Sequence, residues 1–298
     1  MLVLVAPGQG AQSPGFLTPW LELPGLADRL AAWSDVAGID LIAYGTTAGE
    51  DEIKDTAVAQ PLLVATALAS AEALGASPDL LAGHSVGELA AAALAGVISA
   101  EQALDLVRVR AQAMAKAAAI TETGMTAILG GVEEEVLAAL REHGLTPANI
   151  NGAGQIVAGG TLEQLAALKE QAPARARLIP LKVAGAFHTT HMAAAVTAMR
   201  ESAAAITPAD PRVKLLSNAD GQVVAGGADF VERLINQVSN PVRWDSCMAT
   251  MTELGVTTMI ELLPGGTLTG LAKRGMRGVQ TVALKTPDDL DAARELIK

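Results

Sequence analysis

Apolar positions along this chain fall into two kinds of run. Short continuous ones, at Leu2–Ala6 and 79–83, are bounded by turn-forming residues and read as buried strands. Longer ones repeat with the helical period. Residues 61–74 read as a buried helix and 86–97 as a helix that follows the second strand. Residues 101–116 read as an amphipathic helix with Ala103, Leu104 and Val107 on one face and Arg108 elsewhere on its surface. Strands alternating with helices predict a parallel α/β sheet.

Between about 118 and 184 the order changes. A strand at 125–132 is followed by a helix at 133–143 that Gly144 stops, then by strands at 148–151 and 155–158 around a glycine-rich turn. A helix at 161–171, N-capped by Thr161, and a strand at 177–183 complete the order β-α-β-β-α-β. This is the split βαβ of ferredoxin-like units, which can close a small core of its own. From 185 the alternation resumes: a helix at 189–205, a strand at 213–216, helices at 229–238 and 243–254, a strand at 257–262, a short helix from Thr267, a strand at 279–284 and a terminal helix. The expected organisation is a large α/β domain built from 1–117 and 185–298, interrupted by a ferredoxin-like subdomain at 118–184.

Composition narrows the possible functions. Half of the 298 residues are apolar, which supports a sizeable core. A net charge of −11 and an aromatic content of 2% speak against nucleic acid as a partner, which calls for a cationic surface and stacking side chains. The single cysteine, Cys247, excludes an internal disulfide and any cysteine-rich metal or iron–sulfur site. The N-terminal run lacks a basic region and meets Pro7-Gly8 at once, so it does not read as a signal peptide. The apolar stretch 89–100 is too short to span a bilayer, and 57–71 is broken at Gln60-Pro61. A cytoplasmic protein without membrane contact is expected.

Gly83-His84-Ser85-Val86-Gly87 matches G-x-S-x-G, a weak signal alone that gains weight where a strand ends and a helix begins. Such a bend exposes a hydroxyl, and the helix N-terminus behind it favours an anion. The bland alternative is a serine that merely caps the helix. A serine nucleophile needs a base. His84 is adjacent and points to the other face, while His143 fits a helix C-cap. His188 and His191 remain, and His188, where the inserted unit returns to the large domain, is the better base. The H-x-x-H spacing of the pair lacks the further ligands of zinc motifs. Asp105 is the only aspartate between Ser85 and His188 and belongs to a helix surface. A histidine oriented by a backbone carbonyl is physically sufficient instead.

Gly8-Gln9-Gly10 follows the first strand, but Ser13 and the prolines at 14, 19 and 24 spoil a dinucleotide-binding reading. As a tight turn it presents the Gln9 N–H at the sheet edge, suited to half of an oxyanion hole. Arg110 lies in a run of mostly alanine and valine. Either it pairs on the surface with Asp105 or Glu101, or it is embedded and awaits a substrate carboxylate.

Taken together, GQGAQ at 8–12, GHSVGE at 83–88, Arg110, NINGAGQ at 149–155, GAFH at 185–188 and NPVRW at 240–244 closely resemble the malonyl-CoA:acyl carrier protein transacylases, within the acyltransferase family of fatty acid and polyketide synthesis. The resemblance implies an α/β-hydrolase-like large domain with a parallel sheet and an inserted ferredoxin-like subdomain. It implies Ser85 as the acylated nucleophile and His188 as its base, with the backbone carbonyl of Gln237 orienting the imidazole. It further implies an oxyanion hole from the N–H groups of Gln9 and Val86, a malonyl carboxylate clamp at Arg110, and Asn151 and Gln155 lining the site. Phe187 in GAFH implies a preference for malonyl over methylmalonyl. Ala153 departs from the proline that many members carry.

The implied activity is ping-pong transfer of malonyl from malonyl-CoA to holo acyl carrier protein, with no metal and no cofactor, by a free-standing monomer. A basic rim from Lys182, Lys273, Arg274 and Arg277 is expected to meet the carrier. A hydrolase sharing the Ser–His pair, a nucleotide-binding module on 8–13, and a non-catalytic carrier-binding scaffold are the competing readings.

Overall fold

The computed structural model describes residues 1–297, and their ten strands form two five-stranded sheets. In chain order the strands are β1 (Leu2–Ala6), β2 (Leu80–Gly83), β3 (Thr123–Gly130), β4 (Thr146–Gly152), β5 (Gln155–Thr161), β6 (Ala176–Pro180), β7 (Lys214–Leu215), β8 (Val242–Arg243), β9 (Thr258–Glu261) and β10 (Gln280–Ala283). The first sheet runs β10-β9-β1-β2-β7 and is wholly parallel. The neighbouring interior strands β1 and β2 are apolar and buried throughout, apart from half-buried Leu2, as a sheet covered on both faces requires. Ala6 pairs with Gly83, so β1 and β2 end at one level and the loops after them leave side by side. That register brings Gly8-Gln9 next to His84-Ser85.

The second sheet runs β6-β3-β5-β4-β8, antiparallel except where β8 joins β4 in parallel. Its first four strands, with the helices Glu133–Glu142 and Leu162–Glu170, follow the split βαβ order and enclose a separate core around Ile128, Leu140, Ile156 and Leu168. The Leu162–Glu170 helix starts with the Thr161 hydroxyl on the Gln164 N–H and the Gln164 side chain on the Thr161 N–H. The fifth strand comes from outside this segment: Val242–Arg243 takes the first position of the helix expected at 243–254, and that helix runs Trp244–Glu253. Two residues are too short a run to carry a period. The strand expected at 177–183 runs Ala176–Pro180, and past it only the Leu181 N–H makes one more bond, to the Met125 carbonyl at 2.9 Å.

The helix expected from 61 begins five residues earlier, spanning Thr56–Leu74 with Pro61 inside it. Burial decides this. An internal proline costs about 3 kcal/mol, whereas each fully buried Val or Leu contributes roughly 1.5–3 kcal/mol. Val58, Leu62, Leu63, Val64, Leu68 and Leu74 are all buried. By length and composition this helix could cross a membrane, but 83% of its apolar window is buried inside the fold. Residues 18–54, where no element was expected, carry a 3-10 turn at Thr18–Glu22 and the helices Leu26–Ala37, Leu41–Thr46 and Glu50–Lys54. Residues 189–205 divide into a 3-10 turn at Thr190–Met192 and a helix at Ala193–Ala203.

The bend after β2 leaves no room for side chains. A Cβ on Gly83 would lie 2.0 Å from the Gly87 carbonyl carbon, and one on Gly87 would lie 2.3 Å from the Ala6 carbonyl oxygen. Both contacts are with backbone, which cannot give way cheaply. Gly87→Ala should therefore lower stability by about 1–3 kcal/mol and displace the loop after β1. A thermal melt identical to that of the parent would contradict this close approach.

Candidate active site

Ser85 sits in the bend between β2 and the helix Gly87–Ala95 with φ 53°, a left-handed conformation that costs a non-glycine residue roughly 1–2 kcal/mol. Side chains satisfy both its backbone groups. Its N–H donates to Asn218 Oδ1 at 2.8 Å, and its carbonyl accepts from Gln237 Nε2 at 3.2 Å. Asn218 also donates from Nδ2 to the Gly83 carbonyl at 2.8 Å, tying the end of the strand to the same amide. The geometry turns Ser85 Oγ away from the sheet edge.

Two groups meet that hydroxyl. His188 Nε2 is 2.7 Å from Ser85 Oγ, and His188 Nδ1 is 2.8 Å from the Gln237 carbonyl. A carbonyl only accepts, so Nδ1 carries the proton and Nε2 is left to accept from the serine. Gln237 is the last residue of the helix Gly227–Gln237, where carbonyls have no partner within the helix. Burial, and then the nearby Arg110 charge, push the imidazole down to about 3. At neutral pH it is uncharged and can take a proton. Asp105 pairs instead with Arg108 on the surface.

The second group is Arg110. It is 1% exposed and donates to Gln60 Oε1 at 2.7 Å, Gln237 Oε1 at 3.0 Å and Ser85 Oγ at 3.3 Å. The surface pairing with Asp105 or Glu101 is thus overturned. Among the described residues Arg110 forms no ion pair with any carboxylate. Burial pulls it down to about 10, opposed by Glu88, so it stays charged at neutral pH.

Gln9 and Val86 flank the serine from the two loops. Among the described residues neither backbone N–H has a protein acceptor. Val86 is the N-cap of the Gly87–Ala95 helix, where free N–H groups concentrate. Two unpaired amides beside an aimed hydroxyl can hold a developing oxyanion.

These groups open into a cleft of about 260 Å³ lined by Gln9, Ser85, Phe187 and His188 and, from the second sheet, by Asn151 and Gln155. Asn151 accepts from His84 Nε2 at 2.9 Å, and His84 packs edge-on against Trp244. His143 caps the Glu133–Glu142 helix; neither it nor His191 lines the cleft. Ala153 has φ 49° between two glycines, Gly152 and Gly154, also at positive φ, so a proline could not occupy this turn as it stands. No α-helix follows 8–13 until Leu26, which denies a pyrophosphate the helix N-terminus it would need.

Sequence reasoning missed three residues here: Gln60, Asn218 and Glu88. Gln60 sits on the helix expected to be broken at that point. Asn218 reads as an ordinary turn residue in SNADG. Glu88 alone carried a signal, as a charge at the head of an apolar helix.

An unstrained helix-capping serine would have needed none of these partners. A strained serine, a neutral imidazole and two free amides converging beside a parallel α/β sheet are instead the equipment of acyl transfer through an acyl-serine. The chain belongs to the acyl transferase domain family, whose model matches residues 3–287. It is 52% identical over 302 residues to the malonyl CoA-acyl carrier protein transacylase of Mycobacterium tuberculosis, covering 99% of this chain and 100% of that protein. The crystal structure of MCAT from the same organism superposes with a TM-score of 0.95, covering 99% of both chains. A malonyl-transacylase solved in complex with its holo type II PKS acyl-carrier protein is 31% identical, with a TM-score of 0.92 and 99% of each chain covered.

The depressed imidazole makes a prediction independent of substrate. Modification of Ser85 by an uncharged fluorophosphonate should hold its rate from pH 8 down to about 5. A loss of rate with a midpoint near the ordinary histidine value, about 6.5, would place a solvent-like imidazole beside the serine and contradict this arrangement.

Proposed function

We propose that this chain transfers malonyl from malonyl-CoA to the phosphopantetheine thiol of holo acyl carrier protein through a malonyl-Ser85 intermediate, supplying extender units for fatty acid or polyketide synthesis. The observation that carries this reading is Arg110, a buried cation without a carboxylate partner, 3.3 Å from the reacting hydroxyl. An acyl group that ends in a carboxylate, once on Ser85, supplies the missing anion, and a guanidinium can grip it with two parallel hydrogen bonds. The names of the relatives point to the same acyl group and the same acceptor.

In this reaction Ser85 Oγ attacks the thioester carbonyl while His188 Nε2 takes its proton and the Gln237 carbonyl steadies the imidazolium. The Gln9 and Val86 amides hold the oxyanion. When the tetrahedral species collapses, the CoA sulfur leaves with the proton from His188. The carrier thiol then gives its proton to His188, attacks the malonyl-serine, and the serine departs with that proton. The exchange is redox-neutral and its electrophile is polarised by amides, so it calls for neither an electron carrier nor a metal. We read the protein as a cytoplasmic monomer. Phe187, Asn151 and Gln155 line the acyl and pantetheine path, with Phe187 crowding a 2-methyl branch.

For the acidic carrier, Lys182 is exposed and borders the cleft. Lys273 and Arg274 end a helix whose Thr267, Leu268 and Leu271 line the same cleft, and Arg277 follows it. None of the four engages an acid among the described residues.

Ser85→Ala should abolish the acyl-enzyme mass seen after mixing with malonyl-CoA. Arg110→Ala should cost malonyl transfer on the order of 10- to 100-fold, the value of a lost charged hydrogen bond, while sparing acetyl. Equal losses for the two donors would make Arg110 structural, and rapid CoA release without carrier would indicate a hydrolase. Reversing Lys182 to Glu should raise KM for the carrier and leave that for malonyl-CoA unchanged; no change in the carrier KM at this position or at Lys273, Arg274 and Arg277 would remove the proposed rim.

A further inference from the structure

A buried guanidinium without a direct partner calls for a negative charge nearby, and of the two buried carboxyls among the described residues, Glu88 and Glu261, the second is spent on the backbone N–H groups of Gly266, Leu268 and Thr269. Glu88 is 1% exposed and lies in the first turn of the Gly87–Ala95 helix, where the helix dipole favours an anion. Its Oε1 accepts the Asn218 N–H at 2.6 Å, and its Oε2 accepts from Gln237 Nε2. Both oxygens accept from N–H groups. The surroundings are complementary to a carboxylate. On the far side of the same amide, Gln237 Oε1 accepts from Arg110 Nη2.

We infer that Glu88 is a positioning residue for Arg110: from one amide away it fixes how the Gln237 side chain is turned and adds a counter-charge to the guanidinium when it ionises, and so leaves Arg110 without a carboxylate of its own and able to pair with that of a substrate. The inference rests on the malonyl reading above and deepens it. A carboxamide is the side chain that can do this, since it accepts from the cation with oxygen and donates to the anion with nitrogen. A carboxylate at 237 would close on Arg110 directly and fill the place of the substrate. An apolar residue would take one hydrogen bond from each of two buried ionisable groups.

The other charged and titratable groups around Glu88 do not compete for this role. Arg233 is held by Asp220 and Asp229 on the surface. The Cys247 thiol is buried and pushed upward by that burial, and His188 is kept neutral. Burial raises the Glu88 carboxyl to about 8, with Arg110 pulling against it. A second carboxylate arriving at Arg110 removes that pull and favours a proton on Glu88. Below the Glu88 titration the incoming carboxylate meets a neutral acid; above it, a second negative charge.

The test compares KM for malonyl-CoA with KM for acetyl-CoA between pH 6 and 9, which cancels the CoA phosphates common to both. In the parent enzyme the malonyl-to-acetyl KM ratio should rise by about tenfold over this range, and in Glu88→Gln it should be flat. The exchanged pair Glu88→Gln/Gln237→Glu moves the carboxylate onto Arg110. It should raise KM for malonyl-CoA by about tenfold or more, and by more than KM for acetyl-CoA. A flat ratio in the parent, which needs no variant to fold, would overturn the inference. So would an unchanged pH dependence in Glu88→Gln, or the parent's malonyl KM in the exchanged pair. Failure of the underlying reading is distinguishable, because Arg110→Ala would then reduce malonyl and acetyl transfer alike.

Discussion

The site depends on keeping one serine in a backbone conformation that serine avoids. With φ at 53°, Ser85 is thrown clear of the sheet edge, where its hydroxyl reaches a histidine and an arginine at once. The neighbours follow from that constraint. Gly83 and Gly87 are glycines because backbone occupies the space of their Cβ atoms. Asn218 carries an amide because the bend strands the Ser85 N–H, while the Ser85 carbonyl, which already accepts the Glu88 N–H at 3.0 Å, takes a second bond from the Gln237 amide. His188 is also left-handed, with φ 60°. The two groups in contact therefore come from two strained turns, 103 positions apart, each held by the packing around it.

How much of this could be read beforehand depended on the range of the cause. β1, β2 and the helix after the bend announced themselves because continuous apolar runs and G-x-S-x-G are local patterns. Thr161 as an N-cap was legible for the same reason. Arg110 was legible in principle: Ala103, Val107, Ala111 and Met114 mark the buried face of its helix, and position 110 falls among them. The helix boundary at Thr56 was not legible, because a proline rule gives way only to burial on every side, and that is a property of the assembled core. β8 was hidden for a related reason. Two residues acquire strand character only from β4 beside them.

Gln60, Asn218 and Glu88 escaped notice because each acts through a partner far away in sequence. Glutamine and asparagine have no reactive signature, and their importance lies in which way an amide is turned. Gln60 accepts from Arg110 while its own nitrogen faces Gln9 Oε1 at 3.4 Å and Met114 Sδ at 3.6 Å. Only the fold tells which end of such a side chain meets which group.

The cleft places neutral amides, not charges, around Arg110, and the dielectric explains why. In water a neighbouring carboxylate would cost an arriving anion little; inside a protein the interaction between charges at contact distance is several-fold stronger. An aspartate against Arg110 would cancel the field that attracts the substrate. Amides satisfy the guanidinium's N–H groups without cancelling its charge. The same charge lowers the proton affinity of His188, second only to burial as a cause. In the proposed reaction an acyl carboxylate settling on Arg110 would therefore do two things together: fix the acyl chain in the cleft, and relieve the base of the cation that weakens it. An acyl group without a carboxylate would obtain neither, so selection of the substrate and strengthening of the base would come from one buried charge.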